Sequence, residues 1–360
     1  MTASLVQILD PTGKIVASEE PKIDRDDLIR MYRTMMLNRL LDERMLKLQR
    51  QGRIGFYLQT TGEEASHVGS TQALRETDWV FPAYREPGSA FLRGFPIRDF
   101  VNQAFGNAND LTKGRQMPVH YSARQVRSVS ISSPVGTQIP QAAGVGMAAR
   151  ILGHDTVTLV FFGDGTSSQG DFHVGLNFAG VFKAPTIFIC RNNQWAISTP
   201  LSSQTASESI AIKAKAYGMP GIRVDGNDVL AMYEVTRKAA VRARRGDGPT
   251  LIEALTYRRA AHSSSDDPRG YRDSEEVEPW VDKDPLERFR KYLTKKKLWN
   301  AKKEEKLREE LTAEIVDSIR EAESTPPPPV DSLFEDVYAE MPAHLREQHQ
   351  ALIAISGRKE

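Results

Sequence analysis

Two short runs, Thr156–Phe162 (TVTLVFF) and Thr186–Cys190 (TIFIC), constrain the fold most. Both are continuously apolar and rich in β-formers, as expected of strands buried on both faces of a parallel sheet. Between them DFHVGLNFAGVF has the length of a crossover helix, and KAP reads as its exit turn. A right-handed β-α-β crossover brings the C-terminal ends of its two strands to one edge of the sheet, where α/β proteins bind ligands. The strands run into Gly163-Asp164-Gly165 and Asn192-Asn193, so these two loops are expected to meet in space. Gly163 and Gly165 let backbone pass close to a ligand, and the helix that follows would present N–H groups suited to phosphate. Asp164, placed on a surface loop, and Asn193 offer hard oxygens. One carboxylate and one amide, with several coordination positions left open, suit Mg²⁺ that shares its shell with phosphate oxygens. The pair of loops therefore reads as a site for a Mg²⁺–diphosphate unit. An Asp-Gly after a strand is by itself only a turn. The absence here of a Gly-Lys-Ser/Thr loop and of G-x-G-x-x-G argues against a Walker loop and a Rossmann dinucleotide site.

The strand-turn-helix theme recurs in GIRVDGND, and TLIEALTY supplies another strand. Strands alternating with helices imply an α/β fold with a mostly parallel sheet flanked by helices. LVQIL, the turn DPTG and KIVAS read as a small hairpin, so residues 1–23 form an N-terminal arm. Residues 24–325 form the α/β domain, opening with a helix over Asp24–Gln51 that Gly52 stops. VSISSPVGTQIPQAAGVGMAAR predicts a strand, a tight loop and a helix whose Ala and Gly admit a close neighbour. RRAAHSSSDDPRGYRDSEEVEP, with few apolar anchors, predicts a long exposed loop. Charged helices span about Pro285 to Ser324, and TPPPPV then opens a C-terminal tail over 326–360.

The bulk numbers narrow the function classes. With 48 basic and 47 acidic residues the net charge is +1, so no surplus points to nucleic acid or to an anionic membrane. No apolar stretch approaches the roughly 20 residues that span a bilayer. Cys190 is the only cysteine, which suits a reducing compartment. The N-terminus has neither an apolar secretion signal nor an Arg-rich transit peptide, so a cytoplasmic location is expected, or the mitochondrial matrix if a transit peptide has been removed.

Gly-Asp-Gly followed after 26 residues, Thr166 to Arg191, by Asn-Asn resembles the thiamine-diphosphate fingerprint. From about Gln49 to SLFEDVYAEMPAHLREQ the chain also resembles the α subunits of the thiamine-dependent 2-oxo-acid dehydrogenases. The motifs are RQGRIGFYLQTTGEEASHVGS, YREPG, KGRQMPVHY, ISSPVGTQIPQAAG, CRNNQWAISTP, IRVDGNDV and HSSSDDPRGYR. RQMPVHY stands where pyruvate-specific relatives carry a GGSMH-like stretch, which favours the branched-chain (2-oxoisovalerate) members. The resemblance implies the thiamine-diphosphate-binding fold and oxidative decarboxylation of a branched-chain 2-oxo acid such as 3-methyl-2-oxobutanoate, with the 2-methylpropanoyl group passed to a lipoyl group. It implies Mg²⁺ ligation by Asp164, Asn193 and the carbonyl of Trp195, and diphosphate contacts from Tyr84, Arg85, Thr166 and Arg191. It further implies that Ser133 and Val135 lie at the middle of the cofactor, and that Ser132, the Pro134 carbonyl, Thr137 and Gln138 form a K⁺ site. His262 matches the histidine of the loop that reaches the cofactor.

Plainer readings stand beside these. Arg85 and Arg191 could be surface ion-pair partners, His262 a solvated loop histidine, and Ser132 and Thr137 caps of the next helix. His120 could face a substrate channel or simply pack, whereas His67, His154 and His173 read as structural or exposed. The chain departs from close relatives in carrying AAHS for GHHS, Trp195 for a tyrosine and Ala83 before Tyr84; for Ser263, phosphorylation is not expected. Glu63 and Glu64 are candidates for the glutamate that thiamine chemistry requires at the aminopyrimidine. In the family, however, that residue comes from a separate β subunit. The resemblance thus implies an α2β2 heterotetramer that works with a lipoyl-bearing acyltransferase core in branched-chain amino acid catabolism. Pyruvate or acetoin dehydrogenase is the alternative within the class, and a non-catalytic Mg²⁺–diphosphate module the alternative outside it.

Overall fold

The computed structural model describes residues 4–356. Its strands are β1 (Trp79–Phe81), β2 (Thr158–Gly163), β3 (Thr186–Asn192), the two-residue β4 (Trp195–Ala196) and β5 (Thr199–Pro200), β6 (Gly221–Asp225) and β7 (Thr250–Leu255). Five of them make one sheet in the order β1-β2-β3-β7-β6, parallel throughout. The short β4 and β5 pair antiparallel in the loop beyond β3. Side chains alternate between two cores, as the pleat requires: Leu159, Phe161, Ile187 and Ile189 enter one, and Val160, Phe162, Phe188 and Cys190 the other. That two-sided burial is why these strands read as unbroken apolar runs.

The helices are α1 (Arg25–Arg50), α2 (Glu64–Gln72), α3 (Pro87–Leu92), α4 (Ile97–Phe105), α5 (Gln138–Ile151), α6 (Gly170–Val181), α7 (Leu201–Gln204), α8 (Val229–Arg244), α9 (Glu278–Val281), α10 (Pro285–Lys295), α11 (Ala301–Ser324) and α12 (Ala343–Ser356). The first core takes Met31 and Met35 of α1, Val68 of α2 and Leu230 of α8. The second takes Ala142 and Ala143 of α5 and Phe172 and Leu176 of α6. α1 starts after Asp24 and ends before Gly52, whose φ of 73° is open to glycine. The family of folds expected from the sequence, α/β with a mostly parallel sheet flanked by helices, is the one observed.

The arm is closer to the sheet than a free hairpin would be. Among the described residues of the arm only Leu9 and Ile15 pair as antiparallel strands, whereas Val6 pairs in parallel with Val224 of β6. The Ile8 and Leu9 amides donate to Asp228 (2.7 and 2.6 Å), the residue that also caps α8 through Leu230 and Ala231. Burial pushes Asp228 up to about 6. Among the described residues no helix is long and apolar enough to cross a membrane.

Two local expectations are corrected. VSIS forms no strand; Ser128 touches β1 at a single bridge with Val80, because Arg127 just before it takes a left-handed φ of 52° and turns the chain away from the edge. Between β2 and α6, Asp164–Ser168 forms a 3₁₀ turn, and α6 begins at Gly170, one residue before the expected DFHV start. The stretch from Arg258 is not a free loop. Buried Arg272 donates to the carbonyls of Arg258, Arg259 and Ala260, so guanidinium groups supply the anchorage that the missing apolar residues do not.

Candidate active-site cleft at the strand tips

The parallel register sets Gly163 beside Arg191, which brings the Gly-Asp-Gly and Asn-Asn loops together at the C-terminal edge. A cleft of about 420 Å³ opens there. Tyr84, Arg85, Ser132, Ser133, Pro134, Val135, Gln138, Gly163, Asp164, Gly165, Thr166, Arg191, Asn193, Trp195 and His262 all line it, as does His120. Thr137 alone of the expected site residues does not. Its hydroxyl donates back to the Pro134 carbonyl (3.1 Å) and makes no cap bond to α5, so the capping alternative fails for it. Gln138 donates to the Phe161 carbonyl (2.8 Å), tying α5 to β2.

The two loops present their oxygens through buried partners. Asp164 is only 1% exposed, contrary to the surface placement expected, because Gln204 of α7 folds over it and donates to Oδ2 (3.1 Å). Burial pushes its carboxyl up to about 6, with nearby Glu63 adding to the effect; a divalent cation would reverse that shift. Each asparagine gives its amide N–H₂ to an interior glutamate: Asn192 to Glu253 (2.7 Å) and Asn193 to Glu63 (3.1 Å). Their Oδ1 atoms are left toward the loop, accepting from Gln194 N (3.1 Å) and Trp195 N (3.3 Å). The glycines differ in purpose. A Cβ on Gly165 would sit 2.5 Å from Ala196 Cβ, whereas Gly163 faces open space.

Arg85 and Arg191 are 1% and 2% exposed, which removes the surface ion-pair reading. Arg191 lies between two interior carboxylates, Glu63 (2.5 Å) and Glu86, and burial raises Glu86 against the pull of that arginine. Arg85 donates to the carbonyls of Gln59 and His262, and its Nη2 stands 3.2 Å from His262 Nδ1. Tyr84 meets the His262 ring edge-on at 6.1 Å. Burial, then the charges of Arg85 and Arg258, push His262 down to about 4, so at neutral pH it is an uncharged imidazole. His120 bonds Ser133 Oγ through Nε2 (3.0 Å), which makes it part of the cleft wall. His67 is buried, and His173 is exposed beside Tyr217 (2.5 Å).

Sequence reasoning missed the residues that hold the His262 loop. Arg258 donates to the Trp195 carbonyl (3.2 Å), the Ile197 carbonyl (2.7 Å) and the Tyr271 hydroxyl (2.7 Å). Asp266 accepts from the His262 amide (2.7 Å) and from Tyr271 (2.6 Å). Ser264 exchanges two bonds with the Tyr57 backbone, at 2.8 and 3.1 Å. Asp42, fully buried, accepts from Tyr57, from Thr60 twice and from Thr61, and thereby shapes the segment whose Phe56 and Leu58 line the cleft. The only signal in the sequence was the density of Arg, Asp and Tyr in a stretch with so few apolar residues.

These residues match what a Mg²⁺–diphosphate unit needs. The hard donors are one carboxylate, one amide oxygen and one carbonyl, and two arginines face the same space. Among the described residues no group of three or more His, Cys, Asp or Glu gathers into a metal cage. Fold and cleft together define a parallel α/β protein with a cleft lined by hard oxygens and arginines at the tips of adjacent strands. Residues 32–331 match the family model described as dehydrogenase E1 component. The chain is 44% identical over 350 residues to the human "2-oxoisovalerate dehydrogenase subunit alpha, mitochondrial", covering 97% of this chain and 79% of that protein. It is 44% identical over 348 residues to subunit alpha 1 of Arabidopsis thaliana (96% and 74% covered), and 44% over 353 residues to the Caenorhabditis elegans subunit alpha (97% and 82%). The chain belongs to the dehydrogenase E1 component family.

Proposed function

We propose that this chain is the α subunit of a branched-chain 2-oxo-acid dehydrogenase, acting on 3-methyl-2-oxobutanoate and its homologues and passing the acyl group to a lipoyl carrier. The observation that carries the reading is the convergence of Asp164, Asn193, Arg191, Tyr84, Arg85 and His262 on one cleft in a chain 44% identical to named 2-oxoisovalerate dehydrogenase α subunits. Thiamine diphosphate, when bound, supplies the electron sink for loss of CO₂. Asp164, Asn193 Oδ1 and the Trp195 carbonyl would hold Mg²⁺. The second lone pair of that carbonyl leaves room beside Arg258. Tyr84, Arg85, Thr166 and Arg191 would meet the diphosphate, with Gly163 and Gly165 allowing close backbone approach. Ser133 and Val135 stand on the wall where the cofactor's middle would lie, and Ser132, the Pro134 carbonyl, Thr137 and Gln138 would take K⁺. His262, neutral and tethered by Arg85 and Asp266, is placed to orient the acyl group for transfer.

No glutamate among the described residues lines the cleft. Glu63 and Glu64 lie outside the cleft lining, one on Arg191 and the other on Arg39 (2.6 Å). We therefore place the activating carboxylate on a β subunit, in an α2β2 assembly serving an acyltransferase core. Val174, Phe178, Val181 and Phe182 of α6 and its exit are exposed apolar residues of the kind that subunit contacts cover. The compartment is a reducing one, cytoplasm or mitochondrial matrix, consistent with buried, unpaired Cys190. Co-expression with a β partner and turnover of a panel of 2-oxo acids and acetoin tests the proposal. Preference for branched substrates is the expected result. Preference for pyruvate or acetoin would move the chain to the alternative enzymes, and no activity with any β partner would leave a binding module.

A further inference from the structure

Glu63 is a buried carboxylate to which the proposed chemistry gives no task. It is 1% exposed, and its backbone is fixed at the start of α2 by Glu63 N to Thr60 O (2.9 Å) and Ser66 Oγ to Glu63 O (2.6 Å). Its two oxygens nevertheless divide between two residues at the tip of β3: Oε2 takes Arg191 Nη1 (2.5 Å) and Oε1 takes Asn193 Nδ2 (3.1 Å). A side-chain amide has ends of nearly equal shape, so which end faces the cleft is decided by what the other end meets. An ionised carboxylate only accepts. It therefore selects the N–H₂ end of Asn193 and turns Oδ1 outward. Glu86 supplies the other half of the frame, holding Arg191 Nη2 while its Oε2 accepts from Ala83 N (2.9 Å).

We propose that Glu63 is a positioning residue which sets the Asn193 amide oxygen outward for the divalent cation. The inference rests on the reading of Asn193 as a metal ligand. It goes beyond that reading by giving an interior carboxylate, acting with the longer Trp195 N–H bond to Oδ1 (3.3 Å), control of the amide's orientation. Glutamine in place of Glu63 would have one acceptor oxygen for two donors. The guanidinium of Arg191 keeps that oxygen, and the N–H₂ of the substituted side chain then faces Asn193, whose amide rotates and withdraws its oxygen from the cleft. Aspartate is a methylene shorter and reaches only one of the two.

The test uses the assembled protein and thiamine diphosphate, with binding read by tryptophan fluorescence at graded Mn²⁺ and bound Mn²⁺ read by its paramagnetic resonance. Glu63→Gln is expected to raise the Mn²⁺ concentration for half-maximal binding about tenfold or more, as loss of a partner behind a metal ligand does. Asn193→Ala should do the same, and the double variant should be no worse than Asn193→Ala, since both act through one amide. Glu86→Gln, equally buried and equally paired with Arg191 but making no bond to Asn193, should shift cofactor affinity without shifting the Mn²⁺ dependence. Should Glu63→Gln not assemble, Glu63→Asp is measured in the same way and should also raise the Mn²⁺ requirement. Wild-type Mn²⁺ dependence in the Glu63 variants alongside a defective Asn193→Ala would overturn the positioning role while sparing the ligand reading. Equal shifts from Glu63→Gln and Glu86→Gln would reduce Glu63 to a structural charge. Wild-type binding by Asn193→Ala would overturn the ligand reading, and the inference with it.

Discussion

Replacing Arg191 with methionine removes the one cation that two interior carboxylates share. Glu63 and Glu86 are 1% and 0% exposed, and both meet that guanidinium. Deleting one partner of a buried ion pair costs about 3–5 kcal/mol, because the other charge is left without compensation. Here two charges are left. Glu63 keeps the Asn193 amide and Glu86 the Ala83 amide, so the loss is expected near the upper end, about 5 kcal/mol at pH 8. The pH dependence has a definite sign. Burial already holds Glu86 above its ordinary value with the arginine present, and removing the arginine pushes it higher. A carboxyl whose folded pKa is raised loses stability as pH climbs from its unfolded pKa to its folded one, and costs nothing once both forms are protonated. The deficit of Arg191→Met against the wild type should therefore be largest at pH 8 and shrink toward pH 5. Urea unfolding of the assembled protein at the two pH values measures it, and Arg191→Met/Glu63→Gln/Glu86→Gln should regain most of the loss. A deficit under about 1 kcal/mol, the range of an exposed pair, or one independent of pH would refute the reasoning.

Burial, helped by Glu64, pushes Asp42 up to about 7, so its contribution to stability is lost as pH rises through neutrality. Asp42→Asn should remove about 3 kcal/mol of that decline between pH 5 and 8, at roughly 1.4 kcal/mol per unit; parallel stability profiles for the two proteins would contradict it. His262→Ala should slow acyl transfer to a lipoyl acceptor about 100-fold, the scale of a lost orienting contact, while decarboxylation coupled to an artificial electron acceptor falls much less. Equal losses in the two assays would deny the histidine a role in transfer. Gly165→Ala places a Cβ 2.5 Å from Ala196 Cβ and should weaken cofactor binding about tenfold through an overpacking cost of roughly 1–3 kcal/mol. Fluorescence titration showing wild-type affinity would rule that out.

What the sequence made legible follows from local physics. β2, β3 and the crossover helix α6 could be read because strands buried on both faces need unbroken apolar runs, and the meeting of Gly163 with Arg191 then followed from handedness. α1 was legible from its periodicity and its stop at Gly52. The 3₁₀ turn at Asp164–Ser168 was not, since DGTSS carries no periodicity that would mark one. The anchored loop after Arg258 was hidden for a related reason: its stability comes from guanidinium-to-carbonyl bonds spanning 12 to 63 residues, which composition cannot display. The same holds for the site's framework. Asp164, Asn193 and His262 could be picked out by motif, whereas Glu63, Glu86, Glu253, Arg258 and Asp42 matter through partners distant in the chain, and only the fold brings those partners together.

We propose that Asp164 and Asn193, on neighbouring strand tips, jointly hold a magnesium-bound diphosphate. Calorimetric titration of thiamine diphosphate with Mg²⁺ into the assembled Asp164→Ala protein addresses it most directly. Binding should vanish while the metal-free protein melts no lower than the wild type, because a buried carboxyl pushed up to about 6 adds no stability to the empty site. Unchanged affinity would take Asp164 out of the metal shell and contradict the account.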